Sequence, residues 1–135
     1  MQLHIESTIQ RCQQFLGLDG VTARDISFQD WREISSQDRG IYVIYSSSAV
    51  IYVGKGRIRS RQDKHWQKAL AEFRDARDTV GWQWLREHTA VAPEQWRLQV
   101  ITLPQSTARS ALEGTLIHLL QPLANDEVYE DRPCQ

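Results

Sequence analysis

At 135 residues the chain is long enough for one domain with a single core and too short for two. Hydrophobic residues make up 41% of it, and no apolar run approaches the roughly 20 residues of a membrane span, so no membrane association is expected. The formal net charge of −1 argues against indiscriminate nucleic-acid binding, and the two distant cysteines, Cys12 and Cys134, fit no zinc spacing.

Residues 3–16 place Leu3, Ile5, Ile9, Cys12 and Leu16 at helical spacing before Gly17, which predicts an amphipathic helix. Residues 20–39 are mixed and polar; Ile26, Phe28, Trp31 and Ile34 are expected to pack on the core from an irregular segment or short helix. Residues 41–45 and 50–53 are β-rich around the turn cluster Ser46-Ser47-Ser48 and read as a hairpin. Their nearly continuous apolar character predicts a sheet covered on both faces. A helix then starts between Arg57 and Gln62 and runs to about Asp78, with Trp66, Ala69, Leu70, Phe73 and Ala76 as its apolar stripe. Residues 79–93 are ambiguous, with Val80, Trp82, Trp84 and Leu85 expected to be buried. Residues 96–103 alternate as a strand ended by Pro104, and Ser106 or Thr107 is expected to cap a last helix that reaches Leu120 and stops at Pro122. The order α, β, β, α, β, α predicts an α+β fold, a small three-stranded antiparallel sheet flanked by helices.

The average charge conceals an uneven distribution. Between Lys55 and Lys68 stand six cations, Lys55, Arg57, Arg59, Arg61, Lys64 and Lys68, against the single acid Asp63, whereas the segment from Asp126 is acidic. Such a basic stretch can supply the few phosphate contacts a compact DNA-binding protein needs, and it is equally the dress of a solvated helix. No positively charged N-terminal region precedes an apolar stretch, so no signal peptide is expected, and the cysteines read as free thiols of a cytoplasmic protein.

Chemistry concentrates in a few positions. Tyr42, in Gly40-Ile41-Tyr42, and Tyr52, in Tyr52-Val53-Gly54, stand ten residues apart, which with an odd-numbered turn puts both hydroxyls on one sheet face. A phenol of ordinary pKa about 10 needs help to act as a base; each tripeptide alone is also ordinary strand sequence. Arg61 and His65, four apart, share a helix face and offer a phosphate-matching fork and a group that titrates near neutrality. Lys55 is placed to lie beside the tyrosines, or to be a solvated turn residue. Glu113 borders the apolar positions Leu116, Ile117 and Leu120. Ser110-Ala111-Leu112-Glu113 matches a capping box, but Pro104 and Ser106 favour an earlier start that leaves Glu113 in the second turn. One such carboxylate suffices for Mg²⁺, which keeps waters and takes further ligands from a phosphate. Asn125 is either a hydrogen-bonding group across the site or a turn residue.

In this order, residues 40–125 resemble the GIY-YIG endonuclease superfamily, which includes homing and restriction endonucleases and the nuclease domain of the bacterial excision-repair incision subunit. The resemblance identifies Tyr42 and Tyr52 as the motif tyrosines and Gly54 as the motif glycine. Arg61 stands as the helix arginine with His65 four residues on, Lys55 as the repair-domain lysine, Glu113 as the metal ligand and Asn125 as the late asparagine. Tyr52 lies nine residues before Arg61, one fewer than the family spacing, which leaves Arg59 as an alternative for that arginine. Residues 1–39, which have no clear counterpart in the family, are expected as an N-terminal helical extension packed on the core, and 127–135 as an acidic tail; the resemblance implies residues 40–126 as a nuclease domain. It further implies a Mg²⁺- or Mn²⁺-dependent endonuclease that hydrolyses double-stranded or branched DNA, with Tyr42, Tyr52, Arg61, His65 and Glu113 as catalytic residues converging on one phosphodiester. Lys55, Arg57, Arg59, Arg61, Lys64, Lys68 and Asn125 would hold the nucleic acid. Two other readings stay open: a DNA/RNA-binding module without turnover, and a protein-interaction domain suggested by five tryptophans and the absence of net positive charge.

Overall fold

The structure is a computed structural model and describes residues 1–18, 20–70, 82, 85 and 89–125. In chain order it comprises α1 (Gln2–Phe15), β1 (Ala23–Ser27), a 3₁₀ segment (Phe28–Glu33), β2 (Arg39–Tyr45), β3 (Val50–Arg57) and α2 (Ile58–Leu70). After a short 3₁₀ turn (Pro93–Gln95) come β4 (Arg97–Thr102) and α3 (Ser106–Leu120). The strands form one antiparallel sheet in the order β1-β4-β2-β3, with helices on both faces. The α+β class is therefore as expected, with four strands instead of three.

The additional strand, β1, lies in the stretch expected to be irregular. Its sequence, Ala-Arg-Asp-Ile-Ser, has little intrinsic strand preference. Side chains from its neighbours hold it in place: Asp25 accepts hydrogen bonds from Arg97 Nε at 2.6 Å and Gln99 Nε2 at 2.5 Å, both on β4, and from the Tyr45 hydroxyl on β2. The following 3₁₀ segment buries Phe28 and Trp31, with Ile34 just beyond it.

The sheet divides two cores. On one face Ile5, Ile9 and Cys12 of α1 and Leu112, Leu116 and Leu120 of α3 pack on Ile41, Val43, Val53 and Ile101. On the other, Ile58 and Ala69 of α2 meet Tyr42, Ile44, Leu98 and Val100, together with Phe28, Trp82, Leu85 and Trp96. Both faces are covered, which is why β2 and β3 alternate so little. Residues 1–39 thus supply a helix to one core and aromatic groups to the other, besides an outer strand.

Several local expectations change. Leu70, expected in the buried stripe of α2, is 37% exposed, while Phe73, Ala76, Val80, Trp84, Cys134 and residues 127–135 lie outside the described residues. α3 starts after Gln105, whose backbone is extended, and neither Ser106 nor Thr107 caps it. Glu113 is consequently in the second turn, and the capping-box reading falls away. Gln121 closes α3 in the left-handed conformation (φ 51°), ahead of Pro122. No helix among the described residues is long and apolar enough to cross a membrane.

Candidate functional site

The hairpin register decides which side chains meet. Tyr45 pairs with Val50 across a four-residue turn, but Ile44 pairs with Tyr52, so Ile51 is the extra residue of a β-bulge. Without it an even turn would send Tyr42 and Tyr52 to opposite faces. With it Tyr52 stands opposite Ile44, and Tyr42 opposite Gly54. The two rings share a face with centroids 6.1 Å apart.

Glycine at two positions makes room. A Cβ on Gly54 would overlap the Tyr42 phenol, and one on Gly40 would overlap the Ile101 carbonyl of β4. Gly54→Ala is therefore expected to push the phenol off its seat and lower stability by about 1–3 kcal/mol, the range for overpacking a filled core. Urea unfolding checks this, and an unchanged midpoint would contradict the close approach.

α2 lays Ile58, Gln62, His65 and Ala69 along the side that faces the sheet, at spacings of four, three and four. His65 Nε2 lies 2.8 Å from the Tyr42 hydroxyl, the central hydrogen bond of the site. The imidazole is ringed by Tyr42, Tyr52 and Trp82, with centroids 5.7, 5.2 and 5.1 Å away. Burial pushes His65 down from the ordinary 6.5 to about 3, and Arg61, Lys68 and Lys64 press the same way. The ring is thus neutral at pH 7. In its Nδ1–H tautomer Nε2 accepts the phenol proton, the direction a base relay requires. Burial likewise raises Tyr42 well above its ordinary range. The charges of Tyr52 and Glu113 add to that rise, while Arg61 and Gln62 oppose it.

A depressed histidine leaves a thermodynamic signature. Between about pH 6.5 and 3 the unfolded chain binds a proton at this residue that the folded chain refuses, so stability falls as pH falls through that window. Between pH 6.5 and 5 the loss should be about 2 kcal/mol greater in the wild-type chain than in His65→Gln. Equal losses in paired urea titrations would show that His65 is not desolvated.

The arginine alternatives separate in space. The Arg61 side chain runs beside Gly56, with Nε 3.5 Å from where a Cβ would stand, and its charge acts on both Tyr42 and His65. Arg59 turns to Trp31, its guanidinium 6.0 Å from the ring centroid. It lines a separate cleft of about 310 Å³ with Trp31, Ser36, Arg57, Ser60 and Asp63. Lys64 is exposed and Lys68 half-buried on the same helix.

Glu113 does not share a sheet face with the tyrosines, because α3 packs on the α1 side. It stands beside the edge strand β3, close enough for its charge to raise Tyr42. Lys55 turns to it: strand alternation points Lys55 to the face opposite Gly54, where Nζ donates to Ser110 Oγ at 2.9 Å and lies 3.5 Å from Glu113 Oε1. Lys55 is therefore the partner of the acid, in place of the expected neighbour of the tyrosines. Asn125 also differs from expectation. It is 4% exposed, accepts from Val53 N at 2.7 Å and donates to Val53 O at 2.9 Å. Its amide pairs with the open edge of β3, which occupies the groups that would have reached a phosphate.

As a donor set, Glu113 fits a hard cation that retains water. It is one partly exposed carboxylate, loosely paired through one oxygen, with no other partner among the described residues. Sequence reasoning passed over Gln62, a wholly buried residue of this site; its signal was the spacing from Ile58 to Ala69, which puts it on the inward row. No protein-family profile, curated protein or solved structure matches the chain.

Proposed function

We propose that the chain is a Mg²⁺-dependent endonuclease of the GIY-YIG type that hydrolyses DNA phosphodiester bonds. The observation that carries this reading is the Tyr42–His65 hydrogen bond, 2.8 Å long, in the field of Arg61 and within reach of the Glu113 charge. A core tyrosine paired with a neutral histidine under an exposed arginine is poor packing chemistry and useful proton-transfer chemistry.

In this mechanism water attacks phosphorus as its proton passes to the Tyr42 oxygen, and the Tyr42 proton passes to His65 Nε2. The resting values of the two groups oppose that transfer, so substrate must shift them. A phosphate against Arg61 shifts His65: it cancels part of the positive field that adds to burial in depressing the imidazole, and it places a negative charge beside the imidazolium. The same cancellation raises Tyr42, so the phenol takes the water's proton as it gives up its own. Tyr52 borders the same ring cluster and keeps the phenol oriented. Mg²⁺ held by Glu113 would supply positive charge for the departing 3′ oxygen. Lys55 tethers that carboxylate to β3, next to Gly54. Arg57, Arg59 and Arg61 stand at the start of α2, with Lys64 and Lys68 further along it, and together they suit phosphates along the helix.

The test is incubation with supercoiled and branched DNA, with and without Mg²⁺, comparing wild type with Glu113→Gln. Cleavage that needs both the metal and the carboxylate supports the reading. Salt-sensitive binding without cleavage would replace it with a nucleic-acid module that lacks turnover, and no DNA binding would favour a protein-interaction domain.

A further inference from the structure

Gln62 is fully buried, and among the described residues neither its amide nitrogen nor its amide oxygen has a hydrogen-bond partner. An orphaned amide of this kind is costly, since each buried unsatisfied group forfeits its hydration. A helix that needed only filler between Ile58 and Ala69 would do better with Leu or Met. The position is not arbitrary: His65, one turn on along the same row, holds the Tyr42 hydroxyl. From the same inward row of α2 the Gln62 amide favours ionisation of that hydroxyl, without closing a hydrogen bond to it.

We propose that Gln62 is a positioning residue for Tyr42, its Nε2–H held ready to donate to the phenol oxygen when that oxygen passes its proton to His65. In that step the Tyr42 O–H bond breaks and an Nε2–H bond forms on His65. Until the attacking water's proton replaces the one given up, the phenol oxygen carries an extra lone pair and a negative charge that the amide answers. The inference rests on Tyr42 acting as the proton carrier of the proposed nuclease. Among the described residues, the other groups that bear on the phenol are Tyr52 from β3, Arg61 and His65 from α2 and Glu113 from α3. Arg61 is the only positive charge among them, so Gln62 is the second stabiliser of a negative oxygen in a site otherwise hostile to it.

The test compares wild type with Gln62→Met, which preserves length and removes both polar atoms. Full-length protein carrying 3-fluorotyrosine, with Tyr42 assigned through Tyr42→Phe, is followed by fluorine NMR as pH is raised, and DNA nicking is measured across the same range. The Tyr42 titration is expected to move upward by about one pH unit, and nicking on its rising limb to slow about tenfold at unchanged KM. The thermal midpoint should stay at or above that of wild type, because an unsatisfied amide has been removed. An unmoved Tyr42 titration in a folded Gln62→Met would overturn the proposal and leave Gln62 as packing. If Gln62→Met does not fold, Gln62→Leu takes its place, and an unchanged titration there is equally fatal. Wild-type protein that nicks no DNA would remove the nuclease reading, while the fluorine titration would still decide whether Gln62 serves the Tyr42 oxygen.

Discussion

Replacing Tyr42 by phenylalanine is expected to slow DNA cleavage by roughly 10²–10³-fold while leaving DNA affinity and fold nearly intact, the scale of losing a positioned proton carrier. The substitution deletes one oxygen from a ring that is otherwise fully packed, 1% exposed, on the α2 face of the sheet. No cavity larger than a hydroxyl results. The structural cost is the lost bond to His65 Nε2, about 1 kcal/mol. In the proposed mechanism the chemical cost is larger, because attacking water would then meet a ring edge in place of a proton acceptor wired to an imidazole. Single-turnover nicking of supercoiled plasmid separates the two effects, since binding and chemistry are read independently. Cleavage by Tyr42→Phe within about threefold of wild type would show that the phenol carries no proton. Attention would then pass to His65 acting on water directly.

How far the sequence foretells this arrangement depends on how local each determinant is. The hairpin was legible because Ile41 to Tyr45 and Val50 to Val53 are apolar enough to specify buried strands by themselves. The shared face of Tyr42 and Tyr52 was legible as a spacing, but its cause was not: an even turn plus a bulge at Ile51 does the work of an odd turn. β1 was invisible because nothing in Ala-Arg-Asp-Ile-Ser favours a strand until Arg97, Gln99 and Tyr45 surround Asp25. Those partners are 20 to 74 residues away along the chain.

The same distinction runs through the site. His65 and Arg61 were placed by helical periodicity, a local rule, and they bear on the same tyrosine. Asn125 is left open by the sequence because its partner, the backbone of Val53, is 72 residues away and leaves no mark in side-chain sequence. Lys55 could have been placed from alternation alone, since a residue next to Gly54 on a strand must face away from whatever Gly54 admits. Gln62 looked like one more polar residue in a basic stretch. Only its phase relative to Ile58 and Ala69 set it apart, and phase is easily overlooked when the flanking residues are all charged.

Glu113→Gln and Arg61→Ala should each lower Mg²⁺-dependent nicking by roughly 10²–10³-fold, the loss seen when one electrostatic stabiliser of a transition state is removed, but through separable routes. Glu113 is partly exposed and its link to Lys55 is long, at 3.5 Å, so the glutamine variant should fold as stably as wild type. Its defect is expected in the metal requirement: more Mg²⁺ or Mn²⁺ needed for half-maximal nicking, with unchanged DNA affinity in the absence of metal. In the proposed nuclease Arg61 serves the DNA and the proton relay together. Its loss should weaken binding and reduce the salt dependence of affinity by about one unit of slope, as for one phosphate contact. It should also let Tyr42 rise and free His65 to protonate more readily, since Arg61 now opposes both tendencies. Arg61→Lys restores charge without the planar fork and should recover the salt slope more fully than the rate. A Glu113→Gln chain that nicks at the wild-type rate with the wild-type metal requirement would take the acid out of the site. An Arg61→Ala chain with normal rate and salt slope would do the same for the arginine and return Arg59, beside Trp31, as the phosphate contact to examine.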